Sequence, residues 1–326
     1  MPTHGIVETE ERETFVVRFA GDSGDGIQLI GDLFTNTSAL LGESLATLPD
    51  YPSEIRAPSG TTFGVSGFQV CIGGVEVYTP GDRYNLLLAF NPAALKVNLP
   101  STKEGAVILV NEDSFNQRAF DKAAIKENPL MSPEMAKYRL VKIPMTTLTQ
   151  KAMGSLAIGP KEADRCKNFF ALGVLLRLFN QSPDYTHKWI DKKFKSKPLF
   201  LEANKLALEA GRQFVETSGL FPKTFKPKHD GRKMPASAYR NITGNTAAAL
   251  GLIAAAQKAK MNLFLGSYPI TPATDILHEL VKHKDFVTVF QAEDEIAAIG
   301  SAIGASFGGS LAVTTTSGPG FSLKAE

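Results

Sequence analysis

The sequence predicts an α/β protein: a mixed α/β domain, followed by the first part of a parallel α/β domain. Three observations carry this. The apolar runs at 86–90 and 106–110 have the unbroken hydrophobicity of strands covered on both faces. Segments with apolar residues at helical spacing lie around them. From Asn241 onward, strand and helix patterns alternate, which implies a parallel sheet.

The first domain opens with a strand at 15–19 (Phe-Val-Val-Arg-Phe) and a glycine-rich turn from Gly21 to Gly26. Ile27, Ile30, Phe34 and Leu41 then fall at helical spacing, so the opening reads as the start of a βαβ unit. Phe68, Val70 and Ile72 alternate into Gly73-Gly74, and Val75 and Val77 return, which predicts a hairpin. A further strand is expected at 138–143, and helices at 168–179 and 202–215.

From 217 to 240 the composition changes. Pro222, Pro227 and Pro235 alternate with Lys223, Lys226, Lys228, Arg232, Lys233 and Arg240, and periodicity is lost. This reads as a basic, proline-rich linker. The predicted organisation is therefore a domain over 1–216, a linker over 217–240 and a second α/β domain over 241–326. In the second domain a helix is expected at 247–258, a strand at 262–267, a helix at 273–283, a strand at 286–290, a helix at 293–307 and a strand at 311–315.

Composition narrows the function classes. The chain has 326 residues, enough for two domains. A net charge of +2 exerts no global pull toward nucleic acid or anionic membranes. No apolar run approaches the roughly 20 residues that span a bilayer, and the polar, acidic stretch from Met1 to Glu13 is unlike a signal peptide. The cytoplasm is the expected address. Two cysteines, Cys71 and Cys166, are too few to hold an iron–sulfur cluster, so any cluster is expected on a partner. The histidines show no metal-ligand spacing, and no metal site is expected in this chain.

Three motifs bear on chemistry. The Gly21–Gly26 loop has the order G-x-x-G-x-G rather than the dinucleotide order. It is read either as a tight turn that lets its helix pack or as a phosphate cradle, with Asp22 and Asp25 opposing the second reading. In Tyr268-Pro269-Ile270-Thr271-Pro272, Thr271 is an expected N-cap and Pro272 an expected first helical residue. The two prolines also present Ile270 and Thr271 as a rigid wall at the carboxyl edge of the sheet. In Glu293-Asp294-Glu295, acidic residues suit a first helical turn. The helix they open has glycines at 300, 304 and 308 beside Ile296, Ile299 and Ile303, so it is expected to be buried and closely packed. A carboxylate at its mouth then loses water and suits general acid–base work.

Together with Thr316-Ser317-Gly318-Pro319-Gly320, these motifs resemble the α subunit of the 2-oxoacid:ferredoxin oxidoreductases, thiamine-diphosphate enzymes that make acyl-CoA from 2-oxoacids. The amino-terminal part, with its glycine loop and the segment from Pro52 to Thr61, resembles the family's γ domain. A γ domain fused ahead of an α domain is typical of two-subunit members acting on 2-oxoglutarate, and the resemblance spans nearly the whole chain. Family α subunits continue well past the Ser-Gly-Pro-Gly turn. The resemblance therefore implies a pyrimidine-binding domain that is incomplete at its C-terminus, and Lys324 stands where the family has an apolar residue.

By this resemblance Glu295 is the glutamate that hydrogen-bonds the aminopyrimidine ring of the cofactor. Tyr268, Pro269 and Ile270 line the cofactor pocket, and Thr271 touches the substrate. The diphosphate, its Mg2+ and the iron–sulfur cluster belong to a β subunit, with ferredoxin, CoA and a 2-oxoacid as the remaining partners. The substrate implied is 2-oxoglutarate, with pyruvate or a branched-chain 2-oxoacid as the alternative. Three rivals are a different thiamine enzyme, a nicotinamide dehydrogenase using the first glycine loop, and an inactive fragment that only binds a partner. A different thiamine enzyme needs a Gly-Asp-Gly motif followed by Asn. Gly24-Asp25-Gly26 supplies the tripeptide without the Asn.

Overall fold

The computed structural model describes residues 8–50, 64–231 and 240–325. The chain divides into two compact units, residues 1–235 and 236–326. The segment from Pro52 to Thr61, on which part of the γ-domain resemblance rests, lies outside the described residues.

The first unit runs β1 (Glu8–Arg12), β2 (Thr14–Asp22), α1 (Ile27–Leu40), β3 (Ser44–Asp50), β4 (Val65–Gly73), β5 (Tyr84–Ala89), α2 (Pro92–Asn98) and β6 (Thr102–Asn111). It continues with α3 (Gln117–Lys122), β7 (Arg139–Ile143), α4 (Met145–Ala152), α5 (Pro160–Asp164), α6 (Lys167–Leu178), α7 (Asp184–Lys193), α8 (Pro198–Thr217) and β8 (Lys223–Pro227). Six strands form one sheet in the order β3-β4-β2-β5-β6-β7. β2, β5, β6 and β7 run parallel, and β4 is antiparallel to both β2 and β3.

The two-residue period of β2 explains why both faces are covered. Phe15, Val17 and Phe19 enter the large core beneath α1, α6 and α8. Ala20 joins Leu87, Ala89, Ala94, Leu95 and Ile108 under α2 on the other face. Phe34 and Phe179 meet edge to face at 5.3 Å within the large core, a geometry that adds to area burial. α6 and α8 cross backbone on backbone. A Cβ on Gly173 would stand 2.0 Å from the Leu208 carbonyl oxygen, and one on Gly211 would stand 1.9 Å from that of Phe170.

Two expectations are corrected. The hairpin after Gly73-Gly74 does not form, because β2 and β3 already occupy both edges of β4. Val77 instead packs on Val16, Cys71 and Tyr84. The segment expected as a linker is also partly built into the first unit. Lys223–Pro227 is β8, pairing in parallel with β1. The reason is aromatic: Phe221 and Phe225 are buried, and Phe225 stacks within 5.4 Å of Phe15 and of Phe179. The Pro/Lys pattern that suggested a linker masked these anchors.

The second unit runs α9 (Gly244–Ala259), β9 (Leu263–Ser267), α10 (Thr274–Leu280), β10 (Val287–Gln291), α11 (Glu295–Phe307), β11 (Leu311–Val313) and α12 (Gly320–Leu323). Its parallel sheet has the order β10-β9-β11. The chain leaves β9 for one neighbour and then crosses to the other. Right-handed crossovers therefore place α10 and α11 on opposite faces. Accordingly α10 packs on α9, while α11 packs on β9 and β11. Ala249, Ile253, Leu265, Leu277 and Leu280 form the core of the first face. No helix among the described residues is long and apolar enough to cross a membrane.

Candidate active site at the carboxyl edge of the second sheet

β9 is the central strand, and connections leave its neighbourhood in both directions. The loops beyond the carboxyl ends of such a sheet form a natural crevice. The segments 268–272, 292–295 and 314–320 all meet there.

The edge is held by short hydrogen bonds. The buried hydroxyls of Ser267 and Thr315 share one of 2.6 Å, which ties the end of β9 to the strand beside it. Tyr268 and Thr316 share another of 2.6 Å. The Ala292 amide donates to the Ser267 carbonyl at 2.7 Å, drawing the chain after β10 inward. The Thr271 carbonyl accepts from the Ser317 hydroxyl at 2.9 Å, and the Pro272 carbonyl accepts from Asn245 Nδ2 at 3.1 Å.

Tyr268 is 4% exposed and packs with Ala292, Ala298 and Ile270 in a small apolar cluster. Glu295 is half-buried as the first residue of α11. Asp294 is its N-cap, its carboxylate accepting from the Ala297 amide at 2.8 Å. This division of labour leaves the Glu295 side chain free of capping. Glu295 faces Tyr268 and Lys324 electrostatically. Burial pushes the Tyr268 phenol above its ordinary value, the hydrogen bond with Thr316 opposes the rise, and the Glu295 carboxylate adds to it. Burial lowers the affinity of Lys324 for its proton, and Glu295 opposes this. The Lys324 ammonium donates to Thr314 Oγ1 at 2.7 Å and to the Thr315 carbonyl at 3.1 Å, and lies 5.2 Å from the centre of the Tyr268 ring. These contacts account for a lysine at a position expected to be apolar: its ammonium lies over the tyrosine ring and is satisfied by the sheet edge.

The structure brings together Tyr268, Ile270 and Glu295. Pro269 and Thr271 are exposed beside them, and the Thr271 hydroxyl makes no hydrogen bond among the described residues. Thr271 is not an N-cap as expected. α10 begins at Thr274, whose hydroxyl accepts from the Ile270 amide at 2.6 Å. The bend thus consumes two more residues than the Thr-Pro pattern suggests.

The expected burial of α11 is also corrected. Its inner face is Ala298 and Ala302, not the glycines. A Cβ on Gly300 or Gly304 would meet nothing within 4 Å, and Ile296, Ile303 and Phe307 are exposed. The close approach is made from the strand side: a Cβ on Gly266 would stand 2.7 Å from the Ala298 carbonyl oxygen and 2.3 Å from Ser301 Oγ. Sequence reading missed Thr316, Ser267 and Thr315 as partners of the site. The available signal was three successive threonines, Thr314–Thr316, at a strand's end before a Gly-Pro-Gly turn.

The residues at this edge suit one end of an amphipathic heteroaromatic cofactor. A carboxyl partly removed from water meets ring nitrogens, and Tyr268 with Ile270 offers an apolar wall. No group of three or more His, Cys, Asp or Glu side chains that could hold a metal ion occurs among the described residues.

Comparisons with known proteins agree with this picture. The family model described as pyruvate ferredoxin/flavodoxin oxidoreductase matches residues 16–214. The model described as pyruvate flavodoxin/ferredoxin oxidoreductase, thiamine diphosphate-binding, matches residues 254–326. The chain is 48% identical over 324 residues to the 2-oxoglutarate oxidoreductase subunit KorA of Mycobacterium tuberculosis, covering 99% of this chain and 49% of that protein. It is 30% identical over 344 residues to the 2-oxoacid:ferredoxin oxidoreductase subunit alpha of Saccharolobus solfataricus, covering 94% and 50% respectively. Among solved structures it resembles a 2-oxoglutarate:ferredoxin oxidoreductase from Magnetococcus marinus with 2-oxoglutarate, coenzyme A and succinyl-CoA bound. That match has a TM-score of 0.70 and 27% identity, and covers 97% of this chain and 49% of the other. The chain thus spans about half the length of the curated relatives it matches.

Proposed function

Because this chain belongs to the pyruvate ferredoxin/flavodoxin oxidoreductase family, we propose that it forms part of a thiamine-diphosphate-dependent 2-oxoacid:ferredoxin oxidoreductase acting on 2-oxoglutarate. In this reading the first unit is the γ-type domain, and the second is the opening part of the pyrimidine-binding domain. The products are succinyl-CoA, CO2 and reduced ferredoxin. The relatives named for 2-oxoglutarate supply the substrate, and their subunit names supply the expectation of a partner subunit. The family resemblance makes that partner a β subunit holding the diphosphate, Mg2+ and an iron–sulfur cluster. The reaction belongs in the cytoplasm.

The observation that carries the reading is the placement of Glu295. It begins α11 at the carboxyl edge, half-buried, beside a tyrosine whose phenol feels its charge. Thiamine diphosphate, when bound, supplies the nucleophilic carbon and the electron sink for decarboxylation. This chain's own residues have narrower tasks. Glu295 holds or shares a proton at the pyrimidine ring. Tyr268 and Ile270 shape the apolar wall that excludes water, and Thr316 locks the tyrosine through its hydroxyl. The unpaired Thr271 hydroxyl is the polar group offered to the substrate.

The test is Glu295→Gln in the chain co-expressed with its β partner. Dye reduction dependent on 2-oxoglutarate and CoA is expected to be abolished, while co-purification and thermal stability stay unchanged. Activity within a few-fold of wild type would reject the role of Glu295.

A further inference from the structure

The short helix α12 is seated on Tyr268. A Cβ on its first residue, Gly320, would stand 1.9 Å from Thr316 Oγ1 and 2.7 Å from the Tyr268 hydroxyl oxygen. Gly320 is buried, so the helix starts directly on the hydrogen bond that joins those two residues. Lys324 follows four residues later and returns to the same side of the helix. Its backbone amide donates to the Gly320 carbonyl at 3.1 Å, which closes that turn. Phe321 and Leu323 are exposed. The side of α12 that meets the tyrosine therefore carries one glycine and one ammonium.

Packing alone would favour an apolar side chain at 324, because burial penalises the charged form of the lysine. The position carries a cation all the same, and its surroundings use the charge. Nζ donates to Thr314 Oγ1 at 2.7 Å and to the Thr315 carbonyl at 3.1 Å, both on the segment that leaves β11. It lies 5.2 Å from the centre of the Tyr268 ring, within reach of a cation–π interaction. The charge of the Glu295 carboxylate reaches it and opposes the effect of burial. Asp294, the carboxylate next to Glu295, is occupied as the N-cap of α11. One ammonium thus interacts with the residue after β9, the segment after β11 and the start of α11.

We propose that Lys324 is a positioning residue of this site, which braces the Tyr268 ring against the 314–315 edge and supplies the counter-charge for Glu295. The proposal rests on the reading of this edge as a cofactor site. When the pyrimidine pocket is filled, water leaves the surroundings of Glu295. Enclosing a carboxylate without an opposite charge is strongly unfavourable, and an ammonium at the same edge reduces that cost. Its two hydrogen bonds to the edge hold the ammonium in place, so ring and carboxylate keep their relative positions before any ligand arrives.

The test compares Lys324→Met, which keeps an unbranched chain without the charge, with Lys324→Arg, which keeps the charge. Both are made in the complex with the β partner. In calorimetric titration of the cofactor-stripped complex with thiamine diphosphate and Mg2+, Lys324→Met is expected to bind about tenfold or more weakly than wild type, and Lys324→Arg within about threefold of it. Dye reduction dependent on 2-oxoglutarate, measured at saturating cofactor, should fall by about tenfold or more in Lys324→Met and recover in Lys324→Arg. A cycle without cofactor isolates the charge pair. The fall in melting temperature of the second unit caused by Lys324→Met should be about halved or less in the Glu295→Gln background. Wild-type affinity and rate in Lys324→Met overturn the proposal, as do equal losses in the Met and Arg variants or equal melting shifts in the two backgrounds. Full activity of Glu295→Gln would instead reject the reading of the site, and the melting cycle would still decide whether Lys324 and Glu295 are paired. Lys324 is half-buried at the end of a four-residue helix, so its variants should fold, which unchanged circular dichroism would verify.

Discussion

Gly266→Ala tests how the candidate site is positioned. The added Cβ would stand 2.3 Å from Ser301 Oγ, 2.7 Å from the Ala298 carbonyl oxygen and 3.2 Å from the Ala302 amide nitrogen. The serine hydroxyl can rotate away, but the two α11 backbone atoms cannot. Relief requires β9 and α11 to separate by several tenths of an ångström. Overpacking of this kind costs about 1–3 kcal/mol. The lower chain entropy of alanine in the unfolded state returns about 0.4–1 kcal/mol. The net loss is about 1–2 kcal/mol, and for a unit of this size each kcal/mol moves Tm by about 4–8 °C. Scanning calorimetry should therefore show the transition of the second unit falling by about 4–16 °C. Gly300→Ala is the matched control. Its Cβ meets nothing within 4 Å, and replacing an interior helical glycine should stabilise by about 0.5–1 kcal/mol. The same chemical change is thus expected to act with opposite signs on the two sides of one interface. If Gly266→Ala melts at or above the wild-type temperature, or if both variants shift in the same direction, α11 is not seated on β9 in this way.

Other outcomes follow from the same contacts. Ser267→Ala leaves the Thr315 hydroxyl buried without its 2.6 Å partner and should cost about 1–3 kcal/mol in urea unfolding. Tyr268→Phe removes the bond to Thr316 but keeps the ring, so a loss of about 0.5–1.5 kcal/mol is expected, and a larger one would mean the hydroxyl does more than lock the ring. Gly211→Ala drives a methyl onto the Phe170 carbonyl and should destabilise the first unit severely, read as a large drop in its melting temperature. Burial pushes the Cys166 thiol up from 9.0 to about 11. Because the folded state holds this proton more tightly, its contribution to stability is complete below pH 9. It fades as pH rises from 9 toward 11, at up to about 1.4 kcal/mol per unit. Wild type should lose stability relative to Cys166→Ala across that interval, and parallel curves would contradict the burial argument.

The sequence by itself determined the elements whose cause is local or strictly periodic. Buried parallel strands read as apolar runs because both their faces are covered, so β5 was legible within two residues, and β6 was found although it begins at Thr102, four residues before its apolar run. The alternation after Asn241 and the motifs around Tyr268 and Glu295 marked the carboxyl edge, because prolines and acidic helix starts are signals of local backbone geometry. Tertiary structure alone decided what depends on which surfaces meet. β3 is exposed and proline-bearing and was not foreseen, since only the free edge of β4 makes it a strand. β8 exists because Phe225 finds a core contributed by Phe179 and Phe15, some 45 to 210 positions away in the chain. The glycines of α11 looked like its packing face, yet Ala298 and Ala302 face β9, because helix rotation is set by the close approach of Gly266 and by no property of the helix alone. Periodicity reports that a face is apolar or small. Which neighbour it meets is a long-range fact, and only the folded chain supplies it.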